Sequence, residues 1–349
     1  MIVEGIIRLK SPLHCAMMGG TEKNLTRTMV QPILTPNGTD YVPYFPGNDI
    51  KGRLRRKAAR LVIDSLAQKG QKLQPALYAA FTSGSPLGVI ENNRTLGETV
   101  DARDDAYMGL FGGGGRMLPS RLRVADLMPV IASTVDAKIV PESYAQPGAT
   151  GFVPTKRSDK DNVSKAVTGY QLLHRYSYTR IDDLIRLQNS SEVHSAIDNP
   201  VEAVAKYQSD AVANNIARKN DGDNGPAKMD NSMIYVIEAV APGTPMYFYA
   251  ALTPDTSERH AGLFLEALRS LCREQALGGK SSAGFGRYTA DLTIDYNGEK
   301  LPVFAQSDDP AQFEINRELE HLTTAAAESI AKATIESIYP FFAPTKVEE

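Results

Sequence analysis

The sequence predicts an α+β protein: a modified ferredoxin-like antiparallel sheet with helices on one face, a long insertion and a C-terminal helix. Three observations carry this reading. The periodic segments run strand, helix, strand and then hairpin, helix, strand. Between those halves, residues 128–232 lose regular periodicity. A chain of 349 residues, 42% hydrophobic and 23% charged, also has the composition of a globular protein with enough apolar residues for a sizeable core.

Val3, Gly5, Ile7 and Leu9 alternate with Glu4, Arg8 and Lys10, the period of a half-buried strand that ends at Ser11-Pro12. Residues 13–46 read as a long loop region broken by Gly19-Gly20, Pro32, Pro36-Asn37-Gly38, Pro43 and Pro46, with a short strand from Met29 to Leu34. Asn48 or Asp49 then offers an N-cap. Ile50, Leu54, Ala58, Leu61 and Leu66 follow at helical spacing until Gly70. Gly109 to Gly115 is glycine-rich and leads to a strand containing Leu122, Val124 and Leu127.

The insertion holds helix-like pieces at Ile181 to Gln188 and Val201 to Ile216 and a very polar run from Arg218 to Asn231, as expected of a projection rather than core. Ile234 to Val240 and Met246 to Leu252 read as strands joined by the turn Pro242-Gly243-Thr244-Pro245. Phe264, Leu265, Leu268, Leu271, Cys272 and Ala276 make one helical stripe, stopped by Gly278-Gly279. Tyr288, Ala290, Leu292 and Ile294 form a further strand. A last helix carries Ile315, Leu319, Leu322, Ala326 and Ile330 on one face, is acidic on the other and stops before Pro340. The organisation is therefore a sheet domain from 1–127 and 233–298, an insertion at 128–232 and an acidic helical extension at 299–349.

The net charge of −3 conceals a segregation. Residues 305–349 hold nine acids and three bases, a balance of −6 that leaves about +3 on the preceding residues. Between Lys51 and Arg60 lie six bases and no acid. A polyanion responds to such a local potential more than to the total. No window approaches the roughly eighteen apolar residues of a membrane span, and Glu4 lies where a signal peptide would be positive or apolar, so a cytoplasmic location is expected. Cys15 and Cys272 lack metal-ligand spacing and read as two free, buried thiols.

Three stretches are candidates for binding. Pro46 to Arg56 sets Lys51, Arg53, Arg55 and Arg56 at the start of a helix, where bases oppose the dipole unless a phosphate chain lies against them; a solvated basic face explains the charge alone equally well. Leu277 to Arg287 combines glycines with Lys280, Ser281, Ser282 and Arg287 as donors to phosphate or 2′-hydroxyl, or is a plain helix-to-strand turn. It is no Walker loop, since Glu274 stands where the first glycine belongs. Tyr170, His174, Arg175, Tyr176, Tyr178 and Arg180 interleave rings and bases in a way that suits stacking, although tyrosines at a core edge are the simpler account.

Signals of catalysis are sparse. His14, His174, His194, His260 and His321 form no HxxxH pair, and no serine stands in a nucleophile elbow. Asp101, Asp104 and Asp105 can be imagined around Mg2+ but read better as an acidic loop near Arg103. His14 and Glu22 are the positions to examine for a general base or metal ligand, and neither has an activating partner in the sequence. No cofactor, metal or catalytic residue is assigned.

Phe45-Pro46-Gly47-Asn48-Asp49-Ile50-Lys51-Gly52-Arg53-Leu54-Arg55 resembles the PGSSIKG-x-x-R signature of the RAMP proteins of CRISPR systems, with Asn48-Asp49 replacing the serine pair. Leu110-Phe111-Gly112 with Ser120 to Asp126 resembles that family's FG turn and following strand, Glu238 to Thr244 its second-half hairpin, and Leu277 to Arg287 its C-terminal glycine loop. The four occur in order and look most like the family-seven backbone subunits of type IV systems.

The resemblance implies a modified RNA-recognition (RRM-like) sheet, with copies stacked helically along one guide CRISPR RNA that pairs with a target nucleic acid, alongside other effector subunits. It implies a thumb within the insertion, from about 170 to 232. Its RNA contacts would be Asn48, Lys51, Arg53, Arg55, Arg56, Arg121, Arg175, Tyr176, Tyr178, Lys280, Ser281, Ser282 and Arg287. In related type III subunits a loop aspartate before the signature cuts target RNA. The corresponding stretch Gly19 to Leu25 has only Glu22, so the expected role is non-catalytic, with target cleavage or guide processing as the alternative.

Overall fold

The first alternating segment folds as strand β1 (Ile2–Leu9), and the rest of the sheet is built outward from it. The computed structural model describes residues 1–22, 25–36, 38–87, 96–145, 155–157, 164–180, 233–305 and 313–343. These belong to two compact units, one of Met1–Cys15, Met29–His174 and Val240–Glu349, the other of Ala16–Thr28 and Arg175–Ala239.

After β1 come β2 (Ala16–Glu22), β3 (Leu25–Thr28), β4 (Val30–Thr35), β5 (Gly38–Pro43) and helices α1 (Gly47–Gln68), α2 (Pro75–Ser83), α3 (Leu96–Asp104) and α4 (Ala106–Phe111). Then follow β6 (Leu122–Val124), β7 (Met128–Pro129), α5 (Ala132–Asp136), β8 (Thr155–Arg157), β9 (Ser164–Ala166), β10 (Leu173–Arg180) and β11 (Met233–Val240). The chain continues with β12 (Pro245–Leu252), α6 (Glu258–Glu274), β13 (Tyr288–Tyr296), β14 (Glu299–Pro302), α7 (Glu320–Lys332) and α8 (Ile335–Phe342).

The main sheet of the first unit has the order β14-β13-β1-β12-β6, with β7 also paired to β12. The neighbours are antiparallel, and β13-β1-β12-β6 is the expected ferredoxin-like order. The registers Val3↔Ala250, Gly5↔Phe248 and Val3↔Ile294, Gly5↔Leu292 put the apolar alternate positions of three strands on one face. These residues join one buried cluster with Ile50, Leu54, Val62 and Leu66 of α1 and Leu263, Phe264, Leu268 and Leu271 of α6. Each fully buried aliphatic side chain there contributes about 1.5–3 kcal/mol. The opposite face carries Glu4, which accepts from the Tyr247 hydroxyl at 2.7 Å and pairs with Lys300 at 3.1 Å. Asp291 and Asp295 stand on that same side by register, together with Arg8, Arg123 and Lys300, so its acids and bases balance.

Several expectations need correction. Residues 13–46 are not a loop region: β2 pairs with β3, and β4 with β5 from Val30↔Pro43 to Thr35↔Gly38. Gly38, which reads as a breaker, begins β5 opposite Thr35, and Pro32 is tolerated because that ribbon has only two strands. Neither Asn48 nor Asp49 caps α1; Pro46 holds the N-cap position, and Asp126 accepts from the Gly47 amide at 2.8 Å. A side chain at Gly47 would run into the carbonyls of Val124 and Ala125.

Three helices, α2 to α4, follow α1: Asp101 and Asp104, read as part of an acidic loop, lie in α3, Asp105 caps α4, and Gly109 to Phe111 is helical. The C-terminal helix is two: Thr334 opens α8 with a capping box to Ser337, and Pro340 lies inside it. The helix-like pieces expected at 181–188 and 201–216 and the polar run at 218–231 lie outside the described residues.

In the second unit, β10, β11, β3 and β2 form a four-stranded sheet. Here β3 runs parallel to β11, with Val236 opposite Leu25, and Thr28 donates from its hydroxyl to the Glu238 carbonyl.

Candidate nucleic-acid interface

The first turn of α1 is laid against β6 and capped by Asp126, which leaves Asn48 exposed at its outer edge. The six bases that follow have different fates. Lys57 pairs with Glu274 at 2.7 Å, and Arg60 with Asp64 at 2.9 Å. Arg55 donates to the Phe111 carbonyl at 2.7 Å and the Ser83 carbonyl at 3.3 Å, with its guanidinium carbon 5.7 Å from the centre of the Phe111 ring. Arg53 spans the Ala276 carbonyl at 3.1 Å and the Gly278 carbonyl at 2.7 Å.

Lys51 and Arg56 have neither ion pair nor hydrogen bond among the described residues. Lys51 is half-buried, and its pKa lies below the usual lysine range because of that burial and then the like charge of Arg55.

Residues 277–287 meet this helix through Arg53. The base of the loop is pinned to the chain leaving β1: Gly279 donates to the His14 carbonyl at 2.8 Å, Gly286 to Pro12 at 2.8 Å, and Arg287 to the Ser11 hydroxyl at 2.8 Å. A Cβ on Gly278 or Gly286 would strike the His14 or Leu277 carbonyl, and both have positive φ. Lys280 is also left-handed, φ 63°, and with Ser281 and Ser282 it lies exposed while Phe285 is buried beneath. Arg287 is exposed, and its carbonyl accepts from the Lys10 amide at 2.7 Å. Two segments far apart in sequence thus share one surface.

A RAMP superfamily model matches residues 7–289. The chain belongs to the RAMP superfamily. The match takes in the end of β1, all of α1 and the glycine loop. Among curated proteins nothing matches. Among solved structures, a chain described as "Type IV-B CRISPR Complex" is similar at 17% identity with a TM-score of 0.47, covering 86% of this chain and 94% of that chain.

In this RAMP chain the expected contacts divide. Asn48, Lys51, Arg56, Lys280, Ser281, Ser282 and Arg287 present polar groups on the first unit. Arg53 and Arg55 do not point outward as expected, because buried or half-buried carbonyls take their donors. Arg121 is corrected as well: it is 6% exposed, donates to the Arg103 carbonyl and pairs with Asp255 at 3.4 Å, and Asp255 also holds Arg103 at 2.6 Å. Arg175 is exposed on β10 in the second unit, where Tyr176 and Tyr178 are half-buried and share a face by their spacing. Lys10 was not singled out in the sequence; its register beside Arg287 adds an exposed cation, and its place at the polar end of an alternating strand was the available signal.

The candidate chemical groups are placed as follows. His14 is 2% exposed, under the loop whose Gly279 its carbonyl anchors. Glu22 ends β2. Asp104 pairs with Arg259 at 3.6 Å, and Asp105 caps α4 by accepting from the Tyr107 and Met108 amides. Among the described residues no group of three or more His, Cys, Asp or Glu is placed to hold a metal. Cys15 and Cys272 are free and buried, and burial raises both thiols to about 12, with Asp49 adding to the shift at Cys15. No helix among the described residues is long and apolar enough to cross a membrane.

Proposed function

We propose that this RAMP chain is a non-catalytic, guide-RNA-binding backbone subunit of a type IV-like CRISPR effector ribonucleoprotein. Copies of it line one guide in a cytoplasmic complex with other effector subunits and present the guide for pairing with a target. The observation that carries this reading is that four cationic side chains have no ion pair or hydrogen bond among the described residues, Lys51 and Arg56 on α1 and Lys280 and Arg287 on the glycine loop that Arg53 joins to that helix. Surface charge in a folded chain is commonly paired; unpaired cations on two joined segments offer an anion several contacts. Guide RNA as that anion comes from the four ordered motifs that resemble family-seven subunits. In the same reading Asn48, Ser281 and Ser282 supply neutral donors, and Arg175, Tyr176 and Tyr178, in the inserted thumb region within 128–232, meet unpaired bases.

The test is RNA binding by the purified chain, read as a salt titration with labelled single-stranded polyuridine. Lys51→Gln and Lys280→Gln are each expected to lower the slope of log affinity against log salt by about 0.7, the share of one phosphate contact on a single strand. Equal slopes for both variants and parent would overturn the assignment. Electron micrographs of the chain purified from cells making a guide are expected to contain helical or curved filaments holding RNA. A metal-dependent, regularly spaced cut in target RNA would instead favour the nuclease alternative.

A further inference from the structure

The sequence places Arg53 among the phosphate contacts, but its donors face the other way. One guanidinium reaches two carbonyls two residues apart, Ala276 at 3.1 Å and Gly278 at 2.7 Å, at the point where the chain leaves α6 and enters the glycine loop. The backbone hydrogen bonds of the loop base run to residues 10–14 or stay within the loop. Arg53 is therefore the tie between the loop and the first turns of α1. The helix itself is held separately by buried Ile50 and Leu54 and by the Asp126 cap, so this tie is not what keeps α1 folded.

We infer that Arg53 is a positioning residue that sets the spacing between the two halves of the RNA surface, Lys51 and Arg56 on α1 and Lys280 to Ser282 on the loop. This rests on the RNA-binding reading above. The geometry suits arginine: a planar fork holds two carbonyls with its donors fixed in relation to each other, whereas a lysine ammonium is a shorter point charge on a flexible stem that fixes no such spacing. Loss of the fork frees the carbonyls of Ala276 and Gly278 and loosens a segment that already carries a left-handed lysine, so Lys280 no longer stands at a fixed distance from Lys51.

A double-mutant cycle with an exchange measurement tests this. In the free protein, Arg53→Ala is expected to speed amide exchange at 278–284 by roughly tenfold or more while the amides of α1 keep their protection. On polyuridine, Arg53→Ala is expected to weaken binding roughly tenfold in the parent and by less than about twofold in a Lys280→Gln background, the non-additivity of residues that act together. Arg53→Lys, which keeps the charge, is expected to resemble Arg53→Ala in exchange.

Equal losses in both backgrounds would mean that Arg53 touches its own phosphate and would overturn the inference, as would unchanged exchange at 278–284. If the parent fails to bind polyuridine, the RNA reading falls. The exchange result then decides the brace by itself.

Discussion

Replacing Arg55 by methionine separates a structural arginine from a phosphate contact. The variant keeps an unbranched apolar stem and removes the guanidinium, with its hydrogen bonds and its place over the Phe111 ring. A hydrogen bond from a charged donor contributes about 1.5–3 kcal/mol, and the contact over an aromatic ring about 0.5–1 kcal/mol. The bond to Phe111 at 2.7 Å belongs in the upper part of that range, and the bond to Ser83 at 3.3 Å adds little. Partial exposure returns some of the loss through hydration of the freed carbonyls, so the net cost is about 2–3 kcal/mol.

Urea unfolding is expected to show a lower midpoint at an unchanged slope, which marks a change in stability rather than in the surface exposed on unfolding. Polyuridine binding, measured where both proteins are folded, is expected to keep the parental salt slope. A variant as stable as the parent whose slope falls by about 0.7 would refute the reasoning and return Arg55 to the RNA.

Two further outcomes follow from the same packing. His260 is 1% exposed, with Nδ1 2.6 Å from the Ser257 hydroxyl and Nε2 3.2 Å from the Asp105 carbonyl; burial and then Arg121 and Arg259 lower its pKa to about 4. The unfolded chain binds this proton near pH 6.5 and the folded chain does not, so stability is fully present above that value and falls by about 3 kcal/mol as the pH drops from 6.5 toward 4. Burial raises the Asp105 carboxyl and acts in the opposite sense, so the check is the difference between parent and His260→Asn, in which the loss between these two pH values should shrink. Gly262 lies where α7 crosses α6, and a Cβ there would strike the Leu322 carbonyl and meet Ala326. Gly262→Val is expected to destabilise by about 1–3 kcal/mol and to expose residues 320–343 to proteolysis, with polyuridine affinity unchanged because that packing is remote from the loop.

The parts of the fold that were legible are those whose signal is local and periodic. The alternation of β1 and the stripe of α6 needed no partner to be recognised, and their order gave the ferredoxin-like connection. The hairpins at 16–43 were obscured because proline and glycine mark hairpin ends as readily as loops. Helices α2 to α4 are short, and with six of its six residues buried α4 has no polar face to make a period. The cap of α1 could not be read locally, since Asp126 comes from the far side of β6.

The binding surface was less legible, for a related reason. A run of bases gives the charge of a segment, but the partners that decide each residue's use come from elsewhere in the chain. Of the six bases between Lys51 and Arg60, two find carbonyls and two find carboxylates, leaving Lys51 and Arg56. The motif thus has less free charge to offer a ligand than its composition implies, and the proposed surface draws also on Lys10, Lys280 and Arg287.

On the proposed function, five such cations per copy would make a modest phosphate site, with a salt slope of at most about 3.5 on a single strand. On this reading one copy alone is expected to bind RNA weakly at physiological salt. Affinity in that regime grows by repetition, because each copy added along the same strand joins a ligand already held nearby. A chain whose basic signature goes mostly into bracing its own helix is consistent with a subunit that works in series rather than alone.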